Sequence, residues 1–187
     1  MTGGRAPLMT SGQTIWLILI GLTLLAAWTD WRGRRIPNWL TVTGLAFGVA
    51  LNSWWQGWEG AKSSLQGAGL ALVLLLPVVI LRGLGAGDWK LMGAIGAFLG
   101  PRLFVVVLTV SVLVAGAMAI VQMIRAKRVV RTLKNLVVLV HGFIVFGLRP
   151  NPNVSLDDAE SLKLPFGVAA AIGTLLCGCA ALWRVRL

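Results

Sequence analysis

Only six acidic residues occur in the 187-residue sequence, and two of them stand where a charge is expensive: Asp30 closes one apolar run and Asp88 opens another. Ionisable groups at such places are usually retained for a function. Two carboxyl groups held a few ångströms apart cannot both ionise easily, so the pair shares a proton, one member acting as base on a water and the other as acid. That is the chemistry of an aspartic peptidase. The remaining acids are Glu59, by itself, and Asp157, Asp158 and Glu160, grouped in one polar stretch. Each member of the pair also has a structural reading. Asp30 precedes Arg34 by four residues, the spacing of a helical ion pair. Asp88 could cap a helix through backbone N–H groups of its first turn.

The residues around the two aspartates narrow these readings. Gly85-Ala86-Gly87-Asp88 is a GxGD sequence followed by Trp89, Lys90 and Leu91, and its glycines let the chain turn tightly and bring backbone close to a substrate. Asp30 opens the stretch Asp30-Trp31-Arg32-Gly33-Arg34-Arg35-Ile36-Pro37-Asn38, and Leu164-Pro165-Phe166-Gly167 leads into the last apolar run. In this order the three stretches resemble the type IV prepilin peptidases, GxGD membrane aspartic peptidases that remove basic leaders from pilin precursors. The resemblance implies that Asp30 and Asp88 are the catalytic pair at the cytoplasmic face. It also implies that Gly85, Gly87, Lys90, Pro37, Asn38, Pro165, Phe166 and Gly167 shape the active site or contact substrate, and that the partner is a prepilin. Larger members of that family carry a cytoplasmic region with paired CxxC zinc motifs and methylate the new N-terminus. This sequence has neither feature and resembles the short, peptidase-only branch associated with tight-adherence (Flp-type) pili. A single transmembrane peptidase domain over 1–187 is therefore expected, with no methyltransferase or zinc-binding region, no metal and no cofactor. The intramembrane peptidases resembling presenilin pair GxGD with a YD sequence, and this chain contains no Tyr.

Such a pair must be positioned by membrane helices. With 57% hydrophobic and 12% charged residues, the chain cannot be an ordinary soluble domain and must bury much of its surface in lipid. Apolar runs at Ile15–Trp28, Trp39–Trp55, Leu70–Leu84, Leu103–Ile124 and Pro165–Trp183 approach or reach spanning length. A shorter segment, Lys90–Gly100, reads as a half-length helix packed inside the bundle. The expected fold is an all-α polytopic bundle of about six transmembrane helices with a cytoplasm-facing active site. Gly44–Gly48 and Gly96–Gly100 have GxxxG spacing, which allows close helix approach. Asn135–Leu148, which contains the sole histidine, His141, reads as interfacial or re-entrant.

The net charge of +11 would suggest nucleic acid in a soluble chain, but the basic residues lie in clusters between apolar runs and read as topology signals. Nucleic acid is not an expected partner. With the N-terminus outside, Arg32, Arg34, Arg35, Arg82, Lys90, Arg125, Lys127, Arg128, Arg131, Lys134, Arg149 and Lys163 fall inside. Only Arg5, Lys62, Arg102, Arg184 and Arg186 fall outside. Trp54, Trp55 and Trp58 then sit at the outer interface. The expected location is the plasma (inner) membrane, multi-pass, in contact with the lipid bilayer. Cys177 and Cys179 sit within an apolar run and read as packing residues.

Two other classes compete. A small proton- or ion-coupled transporter would place its carboxylates near the midplane and show an internal repeat. A non-catalytic pilus or secretion assembly protein would have lost one motif aspartate. Neither mark is present. Oligomeric state is left open by the sequence.

Overall fold

The structure, a computed structural model, describes residues 11–33, 35–81, 83–125 and 166–184, with the side chains of Ser11 and Arg184 outside the description. Arg34, Arg82, Pro165, the basic stretch 126–134, the 135–148 segment with His141, and the acidic stretch with Asp157, Asp158 and Glu160 lie outside the described residues. The elements described are helices: α1 (Ser11–Gly33), α2 (Asn38–Ile80), α3 (Ala86–Arg125) and α4 (Phe166–Arg184). Each contains a stretch long and apolar enough to cross a membrane. Their outward faces carry Leu24, Leu25, Val73 and Leu113, all about half exposed or more, a surface that lipid covers and water would not tolerate. The chain is a multi-pass membrane protein.

The two longest helices are not straight rods. In α2, Gly57 has φ 59° and ψ −140°, a conformation open almost only to glycine. Asn52 Nδ2 lies 2.9 Å from Ser64 Oγ, whereas residues twelve apart on a continuous helix would be about 18 Å apart. The chain therefore folds back at Gly57, giving limbs 38–56 and 58–80. Gly100 (φ 70°, ψ 176°), followed by Pro101, interrupts α3 in the same way. A methyl group at Gly173 of α4 would meet backbone atoms of Ser111 at 3.0 Å, while Gly167, six residues earlier, touches Asp30. Ser111 is thus near the level of the aspartates, which a straight α3 would not permit, so the limb 101–125 runs back toward them.

Packing follows from small residues. Gly67 and Gly96 bring the backbones of α2 and α3 into direct contact, Gly48 abuts Phe98 and Ala97, Gly44 faces Leu22, and Gly100 faces Ser63. Both GxxxG spacings therefore mark close approaches. The limb 86–99 lies inside the bundle, with Leu91, Met92, Ala94, Ile95 and Ala97 inaccessible. Buried Asn52 holds the far end of this layer: its Nδ2 lies 3.0 Å from the carbonyls of both Ala97 and Phe98, and Gln56 donates to its Oδ1. Gly57 is nineteen residues from Asn38, about 28 Å along a helix, close to the thickness of a hydrocarbon core. Trp54, Trp55 and Trp58 are exposed around that reversal, opposite the end that holds the aspartates.

Candidate active site

Three chain segments meet at the other end of the bundle. The last turn of α1 presents Asp30, which is only 7% exposed. Its Oδ2 accepts a hydrogen bond from the backbone N–H of Gly167, at 3.0 Å, in the first turn of α4. An orphan N–H at a helix start is a natural donor to a carboxylate, and it explains why an acidic side chain can be buried here. The ion pair expected with Arg34 lies outside the described residues.

Asp88 stands in the first turn of α3. Among the described residues its Oδ1 is buried without a hydrogen-bond partner, so the carboxyl group does not act as a cap there through that oxygen. It interacts electrostatically with Asp30 and with the backbone N–H groups of Gly167 and Gly85. Two contacts fix this turn: Trp89 N donates to Gly85 O at 3.0 Å, and Trp89 Nε1 donates to Leu72 O at 2.8 Å.

The α1–α2 connection forms the third wall. Pro37 precedes α2 with φ −62° and ψ 136°, and its carbonyl accepts from Leu40 N at 3.1 Å. Asn38, the first residue of α2, accepts at Oδ1 from Lys90 Nζ at 2.9 Å, which ties the starts of α2 and α3 together at the rim. Asp30, Arg35, Ile36, Gly85, Ala86, Gly87 and Asp88 line one open cleft of about 240 Å³.

Of the expected site residues, Asp30, Asp88, Gly85, Gly87 and Gly167 converge on or beside this cleft, and Pro37, Asn38 and Lys90 lie at its edge. Phe166 is half-buried and packs on the apolar core. Pro165 lies outside the described residues. Ile36, Arg35 and Trp89 are additional contributors. Ile36 could have been noticed as the one aliphatic side chain in the polar connection 34–38. Among the described residues, no group of three or more His, Cys, Asp or Glu side chains could hold a metal ion.

A model of the type IV leader peptidase family matches residues 17–120, a stretch that contains both aspartates. The chain belongs to that family. It is also similar to the prepilin leader peptidase/N-methyltransferase of Bacillus subtilis (strain 168), with 31% identity over 121 residues, covering 60% of this chain and 47% of that protein. The chain thus spans about half the length of the curated relative it matches. No solved structure matches it. The matched stretch includes every residue that lines the cleft formed by the end of α1, the α1–α2 connection and the start of α3.

Proposed function

We propose that this protein is a membrane aspartic endopeptidase that removes the basic leader of a type IV, Flp-like prepilin at the cytoplasmic face of the plasma membrane. The observation that carries this reading is the convergence of Asp30 and Asp88, from different helices, on one open cleft at one end of the bundle. In this reading a water lies between the carboxyl groups. One takes its proton as the oxygen attacks the scissile carbonyl carbon, and the other gives a proton to the departing amide nitrogen, so the pair is reset with its roles exchanged.

Placement of the cleft suits the substrate. A leader rich in basic residues stays in water beside the cytoplasmic face, while the apolar helix behind the cut remains in the bilayer. Arg32, Arg35 and Lys90 lie at the aspartate end, and Lys62 and Arg102 lie toward the reversals at the other end, as the positive-inside rule requires for a cytoplasmic site. Counting the limbs of α2 and α3 separately gives six membrane segments among the described residues, which fits the topology we propose, with both termini outside. A proton-coupled transporter fits less well, because its carboxylates would be expected near the midplane of the bundle.

Incubating the detergent-solubilised protein with an Flp-type prepilin tests the activity directly, with leader removal scored by mass. Cleavage is expected to proceed unchanged in the presence of a chelator; a rate that collapses with chelator and returns with zinc or magnesium contradicts a metal-free pair. Topology is checked separately. A reporter fused after Lys127 should score cytoplasmic and one inserted near Glu59 external, and the reverse result would put the aspartates on the wrong side for a prepilin leader.

A further inference from the structure

Ile36 sits in the short connection between α1 and α2, next to exposed Arg35, yet it is 8% exposed and belongs to the apolar core. It lies between two glycines that each belong to one half of the aspartate pair. A methyl group on Gly87, the residue before Asp88, would meet Ile36 Cβ at 3.2 Å and its backbone O and N at 3.4 and 3.5 Å. A methyl group on Gly167, whose N–H holds Asp30, would meet Ile36 Cδ1 at 3.2 Å. The base of this residue, Cβ and backbone, therefore bears on the turn that carries Asp88, and its side-chain tip bears on the turn that anchors Asp30.

We propose that Ile36 is a positioning residue that sets the separation of Asp30 and Asp88 by wedging between Gly87 and Gly167. Its role in cleavage rests on the peptidase reading above, whereas its role as a spacer does not. The residue type suits the task. A β-branched side chain is stiff at χ1, and Pro37 fixes the backbone behind it. Both glycines lack a Cβ where the wedge enters, so Ile36 Cβ and Cδ1 reach the backbone of the two turns directly. A shorter residue at 36 would keep the contact with Gly87 but leave the turn of Gly167 free to relax toward it, changing the geometry of the carboxyl groups while leaving them in place. Valine keeps the β-branch and loses only Cδ1, the atom that faces Gly167, so it should produce a partial effect.

The experiment has two arms. In a protein carrying Asp30→Cys and Asp88→Cys, with Cys177→Ser and Cys179→Ser to remove the native thiols, a short bifunctional thiol reagent reads the separation. Adding Ile36→Ala is expected to change the cross-linking rate several-fold, and Ile36→Val to give an intermediate rate. In the otherwise unaltered protein, Ile36→Ala should lower kcat on the order of tenfold or more with KM nearly unchanged. The gap between the two limbs of the pH–rate bell should change as the coupling between the carboxyl groups changes. Ile36→Val should restore most of kcat and the original bell. A cross-linking rate identical in all three backgrounds overturns the proposal, as does a loss of activity that tracks the folded fraction with an unchanged bell. Should no prepilin be cleaved by the unaltered protein, the peptidase reading fails, while the cross-linking arm still decides whether Ile36 sets the spacing. If Ile36→Ala does not fold, the Ile36→Val arm decides alone.

Discussion

Asp30→Asn and Asp88→Asn are each expected to reduce prepilin cleavage by roughly 1,000-fold or more, because each removes one member of an acid/base pair and an amide cannot take its place. Neither variant should lose its fold. An asparagine at position 30 keeps an oxygen that can accept from the Gly167 N–H, the bond that Asp30 Oδ2 now makes at 3.0 Å. At position 88 the buried Oδ1 has no partner among the described residues to lose, and the turn around it is held by Trp89 through its own bonds to Gly85 and Leu72. Membrane yield and thermal stability should therefore stay close to those of the unaltered protein while turnover disappears, and the double variant should be no worse than either single one. A purely structural carboxylate gives the opposite pattern, with loss of folded protein and little change in turnover per folded molecule. Near-normal turnover in either variant would remove that aspartate from the mechanism.

Legibility in the sequence followed the cost of the feature. A carboxylate at the edge of an apolar run is so unfavourable that Asp30 and Asp88 stood out without any structure, and the end of the short segment Lys90–Gly100 coincides with the break at Gly100. The half-length segment inside the bundle was legible for a similar reason, being too short to span and too apolar for a loop. Hydropathy was a poorer guide to α2. The sequence suggested a third helix starting at Leu70, whereas the second limb begins just after Gly57, because residues 58–69 are weakly apolar but helically patterned. Gly60, Ser64, Gly67, Ala68, Ala71 and Leu75 recur at steps of one, three and four and are buried. The stripe works by admitting neighbouring backbone, a property that transfer free energies of side chains do not record. Asn52 was missed although it is a lone amide inside an apolar run, a mark that usually signals a polar contact across helices. The Gly167 amide is the hardest case, since a backbone donor has no side chain to announce it, and only the resemblance of Leu164-Pro165-Phe166-Gly167 pointed there.

Gly167→Ala is expected to cost on the order of 100-fold in kcat with little change in KM, because an ångström-scale displacement at reacting groups is enough for such a loss. The added methyl would lie 2.9 Å from Asp30 Oδ2 and 3.2 Å from Asp30 Cβ, with Ile36 Cδ1 also at 3.2 Å. No neighbour can yield without consequence: moving the carboxylate changes the pair, and moving the first turn of α4 withdraws the amide that holds it. Gly85→Ala makes a milder version of the same contact, 3.1 Å from Asp88 Oδ2, at a loop position that can give, so its loss should be smaller. Two further glycines separate this effect from general packing. Gly116 has open space around it, and alanine there should leave both activity and stability intact or slightly raise the latter through helix propensity. Gly96→Ala drives a methyl into the backbone of Gly67, far from the cleft, and should reduce folded protein while molecules that do fold keep their turnover. Kinetics per folded molecule across the four variants decide the matter, and near-normal kcat for Gly167→Ala would show that the contact between α4 and Asp30 is not part of the working site.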